Sequence, residues 1–311
     1  RDLIVTGVQT CALPIYVDLG VVFFTTASLL LLLRWAEENF KWRSLVLAGL
    51  CSGLAAGTKY NGIISIIALT LLTPMLYQRS AVGAKRSNGK AFLGGVVFAV
   101  AALTSFSPWM VRNSALTGNP IYPLHNSLFQ KLHQSNLNQL GNESADLTGA
   151  LQQIGQQGGN AFIGRKILYN EPWWQTLLLP IRFFIEGKDD DPRYFDGKLS
   201  PFLLILPALA FLFRSSDTQR RREQNFLLLF SLLVFFFTFF QEAMRIRYIV
   251  SIVPALVVLS MYGLHGTLQS ITTRCAKPLA KRIAFVAIAV FTPCSALWYN
   301  GQYIASQFAA V

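Results

Sequence analysis

The sequence predicts an all-α polytopic membrane protein, with about eight transmembrane helices and one external (periplasmic) subdomain. Hydrophobic residues make up 53% of the 311 residues and charged residues only 14%. The apolar residues gather into continuous blocks, and the basic residues cluster between them. Backbone amides and carbonyls find no water in a bilayer core, so only helices or closed barrels cross it, and unbroken apolar runs exclude the alternation of a barrel strand. A formal charge of +12 would suggest nucleic acid in a soluble chain. Its placement here marks membrane orientation instead, and the expected partner is the lipid bilayer rather than nucleic acid.

Eight apolar blocks are read at residues 17–33, 44–58, 62–77, 91–107, 201–213, 225–240, 249–264 and 283–299. Between them lie Arg34, Lys41 and Arg43; Arg79, Lys85, Arg86 and Lys90; Arg214 and Arg220 to Arg222; and Arg274, Lys277, Lys281 and Arg282. Eight spans put all four clusters on one face, and short loops rich in Lys and Arg stay cytoplasmic. The same rule divides residues 44–77 into two helices turning at Lys59, because one long helix would send the Arg79 cluster outside. Each of the two is short, reaching ~22 Å of a ~30 Å core, so Lys59 is expected below the outer headgroups. Trp109, Trp173, Trp174 and Trp298 fall near expected outer interfaces, as amphipathic anchors should.

The first residues stand apart. Residues 5–15 read VTGVQTCALPI, which resembles the translation of a sequencing-library adapter, and residues 1–15 are set aside as non-native. An apolar helix follows at once, so an N-terminal part is expected to be missing. The remaining organisation is four N-terminal spans over 16–107, an external subdomain over 108–200 and four C-terminal spans over 201–311.

The external segment is too long for a simple connector. It opens with the turn-rich Gly118-Asn119-Pro120 and Pro123. Around Trp173, the stretch EPWWQTLLLPIRFFIEG mixes aromatics with Arg182 and is broken by Pro180, which fits a helix lying in the outer interface. Asp189 to Asp191, with Asp196 nearby, offers hard oxygen ligands for a divalent cation, but a solvated turn explains the run better, so no cofactor is expected. His125 and His133 lack metal-ligand spacing, and Asn142-Glu143-Ser144 is a sequon of the kind that arises by chance. Four cysteines, none in this segment, imply no disulfide framework.

Three groups of residues are suited to chemistry. Asp18 opens the first span at its outer end, where a carboxylate could orient an acceptor hydroxyl; an N-cap satisfying free amides explains it equally. Lys59, with Tyr60, places a cation just inside the outer leaflet, suited to a lipid phosphate because attraction grows as water is excluded; snorkelling is the alternative. Arg245, Arg247 and Tyr248 stand in QEAMRIRYIVSIVP on the outer side, against the inside bias. Two planar guanidinium forks there make an anion site, unless they are interfacial anchors with one bonded to Glu242. Arg112, just after a membrane-exit Pro-Trp, reads as an anchor. No Gly-rich phosphate loop, nucleophile elbow or zinc motif is present.

Five stretches in order resemble the GT-C superfamily of membrane glycosyltransferases, in particular bacterial relatives of family 39 protein mannosyltransferases and aminoarabinose transferases. They are YVDLGVVFFTTASLLLLLRW, GLCSGLAAGTKYNGII, SPWMVRNSALTGNPIYPLHNSLF, GKLSPFLLILP and RIRYIVSIVPALVVLSMYGL. The resemblance implies transfer, with inversion, of a sugar from a polyprenyl-phosphate donor to a glycan, lipid or protein acceptor at the periplasmic or extracellular face of the plasma (inner) membrane. It assigns Asp18 to a second acidic position and Lys59, Arg245 and Arg247 to the lipid phosphate. The family's principal carboxylate lies in a loop after its first helix; no such loop is present, so the chain is expected to be an inactive fragment. A transporter or flippase for lipid-linked saccharides would use the same cations without chemistry, though no internal repeat supports it. A non-enzymatic membrane scaffold is the third reading.

Overall fold

A computed structural model describes residues 2–80, 87–122, 129, 161–188, 191–195, 197–213, 217–239 and 245–274, with scattered positions from 286 to 305. The chain divides into two compact units, one of residues 1–164 with 240–242 and the other of 165–239 with 243–311.

The first unit holds four helices: α1 (Asp2–Glu37), α2 (Trp42–Thr58), α3 (Gly62–Ser80) and α4 (Asn88–Thr117). Helix α2 packs against α1, α3 and α4. It can approach α4 closely because Gly49 and Gly53 present no side chain: a Cβ on Gly53 would stand 2.0 Å from the carbonyl oxygen of Ala102 and from Ser105 Oγ. Gly57 faces the ring of Trp109 in the same way. Between α1 and α2 the chain reverses through Asn39 and Phe40, both at positive φ. That unfavourable conformation is held by rings, Phe40 packing on Trp35 at 5.1 Å and Tyr77 at 4.4 Å.

The second unit takes in α5 (Ala161–Tyr169) from Arg165 onward, then α6 (Trp173–Leu177), α7 (Leu179–Ile185), a 3-10 turn (Pro192–Tyr194), α8 (Phe202–Leu212), α9 (Thr218–Phe239), α10 (Ile246–Ile249), a second 3-10 turn (Val250–Ile252) and α11 (Val253–Arg274). Helices α8 and α11 pack backbone to backbone, since a Cβ on Gly263 would lie 1.9 Å from the Leu206 carbonyl oxygen.

Helices long and apolar enough to cross a membrane run over Val17–Glu37, Gly62–Ser80, Asn88–Thr117 and Ile246–Ile271, with Phe202–Leu212 a shorter apolar helix. There is no strand among the described residues, and the fold is an all-α membrane protein. Seven of the eight expected blocks coincide with helices; the eighth, 283–299, lies for the most part outside the described residues. The expected turn at Lys59 is present: α2 ends at Thr58, Lys59 is extended at φ −156° and ψ 139°, and α3 begins at Gly62. The stretch around Trp173 is divided as expected: α6 ends at Leu177 and α7 starts at Leu179, with Pro180 in its first turn, where the missing N–H has no helical partner to lose. His125, His133, Asp189, Asp190, Asp196 and the sequon fall outside the described residues.

Candidate active site

In the first unit the site is built by a hairpin of nearly equal arms. From the reversal at residues 38–41, α1 runs back to Asp18 over about 29 Å and α2 runs forward to Lys59 over about 25 Å at 1.5 Å per residue, so the two side chains arrive at the same end. There the Lys59 ammonium donates to the Asp18 carboxylate, with both side chains 17% exposed. Lys59 also stands at the C-terminus of α2, where the helix dipole favours a cation. Helix α1 runs from Asp2 through Asp18, so this residue does not stand at a helix start in the structure. Arg34, Lys41, Arg43, Arg79 and Lys90 belong to the opposite end of the same hairpin and its neighbours.

Tyr60 and Asn61 complete the turn: the Tyr60 carbonyl accepts from Ile63 N at 3.0 Å and the Asn61 carbonyl from Ile64 N at 3.1 Å. The Asn61 side chain is buried, and neither its amide nitrogen nor its oxygen has a hydrogen-bond partner among the described residues. A buried primary amide left unpaired costs about 1–3 kcal/mol, which makes Asn61 a candidate beside Lys59. Only its position next to Lys59 could have drawn attention to it.

The second unit places Arg245 and Arg247 at the start of a spanning helix. Arg245 is the extended N-cap residue of α10, and Arg247 lies in its first turn, two residues before the expected start of the block. Arg247 packs over the Tyr248 ring at 5.7 Å, and its buried Nε has no hydrogen bond among the described residues. Tyr248 N donates to the Arg245 carbonyl at 3.0 Å. Glu242, the expected partner of these arginines, lies outside the described residues. Arg112, in the first unit, is exposed, as an anchor should be.

Sequence reasoning missed the element that holds Arg245. Glu171 is buried and accepts from Arg165 Nε at 2.7 Å and Nη2 at 2.9 Å, and from Arg182 Nη1 and Nη2 at 3.3 Å each. Burial alone would push the Glu171 carboxyl up, but hydrogen bonds from Arg165 and Arg182 outweigh it and hold the group below the usual carboxylate range. Burial likewise disfavours the Arg182 cation, yet its bonds to Glu171 and Glu186 leave its pKa raised. Both guanidinium groups also pack over the ring of Phe195, at 5.1 and 5.5 Å, while Phe183 covers that ring at 4.3 Å. Phe195 is fully buried at positive φ, a costly conformation for an aromatic residue that this enclosure enforces. Its carbonyl accepts from Ile246 N at 2.9 Å, which fixes the residue next to Arg245. The outer side of the same segment is apolar: Trp173, Trp174, Leu177, Leu178, Ile181 and Ile185 are exposed, with polar groups inward. This inversion suits the expected interfacial helix.

No group of side chains that could hold a metal ion is found among the described residues. Asp191 instead accepts from Arg193 N at 3.0 Å in a local turn.

The model of one family, dolichyl-phosphate-mannose-protein mannosyltransferase, matches residues 3–105, covering α1 to α3 and most of α4. This is a GT-C family of glycosyltransferases, and the match fits a GT-C membrane glycosyltransferase. The Asp18–Lys59 pair lies inside the matched region; Glu171, Arg245 and Arg247 lie beyond it. No curated protein and no solved structure matches the chain.

Proposed function

We propose, starting from a chain whose residues 3–105 match a mannosyltransferase family, that it serves transfer of a sugar from a polyprenyl-phosphate donor to an acceptor hydroxyl at the outer face of the membrane. The observation that carries this reading is the half-buried Asp18–Lys59 pair beside the unpartnered Asn61, within the matched region and at the end of the hairpin away from the basic loops. Positive loops mark the inside, so this end faces out.

A lipid phosphate would compete with Asp18 for Lys59. Its arrival draws the ammonium away and releases the carboxylate, which then orients the acceptor hydroxyl. The bond from the sugar's anomeric carbon to the phosphate oxygen breaks with its electron pair going to the phosphate. The acceptor oxygen bonds to that carbon from the opposite side, and its proton passes to a carboxylate. Lys59 stabilises the charge developing on the departing phosphate, a preorganised role typically worth about 2.7–4 kcal/mol per donor, and Arg245 and Arg247 are phosphate-binding candidates of the second unit in their own right.

The test is transfer from a radiolabelled polyprenyl-phosphate sugar in membranes carrying the protein. Lys59→Ala and Arg245→Ala should each reduce transfer by about 100-fold or more. Full activity in both variants would remove the basis of the proposal, and saccharide movement into proteoliposomes without transfer would favour the flippase reading instead.

A further inference from the structure

The second unit contains a polar cavity that the transfer reaction does not use. It lies where the end of α8, the start of α9 and the last turns of α11 meet, and its volume is about 340 Å3. Leu212, Arg220, Gln224, His265, Gln269 and Ser270 are among its lining residues. Polar groups dominate the lining although the helices that form it are apolar along most of their length.

Gln224 is the most informative of them. Its side chain is 2% exposed, yet its Oε1 has no hydrogen-bond donor among the described residues. A buried acceptor without a donor costs about as much as a lost hydrogen bond, and a helix facing lipid would ordinarily carry Leu at such a place. An occupant with a hydroxyl would satisfy it. The charge of the lining asks for an anion, because Arg220 is among the residues that form it. Arg220 stands 3.6 Å from Asp217 in an exposed pair of the kind worth little in water, which a phosphodiester would displace, and Glu223 accepts from the Tyr262 hydroxyl and from Gln219 Nε2 at 3.1 Å. The helices α8 and α11 also expose Ile205, Leu212, Val257, Val258 and Met261, apolar side chains against which acyl chains can lie, and Leu212 lines the cavity as well. A soluble phosphate would have no use for those side chains.

We propose that this cavity binds the headgroup of an anionic glycerophospholipid, its phosphodiester at Arg220 and a headgroup hydroxyl donating to Gln224 Oε1. The site stands apart from the sugar-transfer reading and survives its failure. A phosphocholine headgroup has the phosphodiester but no donor, and fits less well.

The experiment uses the purified, delipidated chain in detergent, titrated with phosphatidylglycerol, with phosphatidylcholine of the same acyl chains, and with free glycerol phosphate, the bound lipid being counted by native mass spectrometry. One phosphatidylglycerol should be retained per chain, about tenfold more tightly than phosphatidylcholine. Gln224→Leu and Arg220→Ala should each abolish most of that preference, while the exposed control Arg112→Ala keeps it. Gln224→Leu should leave the melting temperature of the lipid-free chain unchanged or raised, because it removes an unpaired polar group; if it fails to fold, Ser270→Ala takes its place in the series. Equal retention of the two lipids, or an undiminished preference in the cavity variants, would overturn the proposal. Displacement of phosphatidylglycerol by glycerol phosphate at equal concentration would overturn the lipid assignment and make the occupant a soluble phosphate.

Discussion

Replacing Glu171 by Gln removes one buried charge and keeps the shape of the side chain. In the native structure the carboxylate accepts four hydrogen bonds from Arg165 and Arg182, whose side chains are only 4% and 10% exposed. Gln offers a single acceptor and turns its amide nitrogen towards guanidinium donors, leaving two cations buried around a neutral group. Breaking a buried ion pair this way costs about 3–5 kcal/mol. The lower end applies, because Arg165 keeps the Arg193 carbonyl at 2.7 Å, and Arg182 keeps Glu186 at 2.7 Å and the Gln175 carbonyl at 3.1 Å. A loss of about 3 kcal/mol accelerates hydrogen exchange through local opening on the order of 100-fold. The amides to follow are Asn170, bonded to the Lys166 carbonyl, and Ile246, bonded to Phe195, because Phe195 links the ion cluster to the Arg245 cap. The pH dependence has a definite sign. The Glu171 carboxyl is depressed in the fold, so its stabilisation is complete above the unfolded value near ~4.3 and is lost only as pH falls through the lower folded value. The wild type should therefore show no change in these amides between pH 7 and 5, once intrinsic exchange is corrected, and Glu171→Gln should remove the dependence on further acidification. Exchange altered by less than about threefold at Ile246 would refute the linkage from Glu171 through Phe195 to Arg245.

Two further outcomes follow from packing and topology. Gly53→Val drives a side chain into the Ala102 carbonyl and should destabilise the first unit by about 3 kcal/mol or more, read as a lower melting temperature, whereas Gly89→Ala, with only Ser87 Oγ near at 3.8 Å, should be neutral or slightly stabilising. With native cysteines replaced, Tyr60→Cys should react with an impermeant maleimide from outside intact cells and Arg221→Cys should not; equal labelling would overturn the assigned sides.

The helices were legible because lipid demands apolar length, and the cation clusters between blocks located their ends without any knowledge of packing. The turn at Lys59 could be read for the same reason, since one long helix would have broken the charge rule. The pairing of Lys59 with Asp18 could not: it depends on α1 and α2 having matched lengths on either side of the reversal at Asn39 and Phe40, whose positive φ has no strong sequence signature. The Glu171 cluster escaped notice because Arg182 sits in an aromatic stretch that suggests its charge points outward, while the structure turns it inward and exposes the Trp residues. Asn61 and Gln224 stood out only once burial and missing partners could be seen.

On the proposed mechanism, Lys59 is held by Asp18 until a lipid phosphate takes it. Binding of a polyprenyl phosphate to the purified protein, measured for the wild type, Lys59→Ala and Asp18→Asn, tests it most directly. Removing the cation should weaken binding about tenfold or more, and neutralising its competitor should tighten it. Unchanged affinity in Lys59→Ala, or binding lost equally in Asp18→Asn, would contradict the exchange.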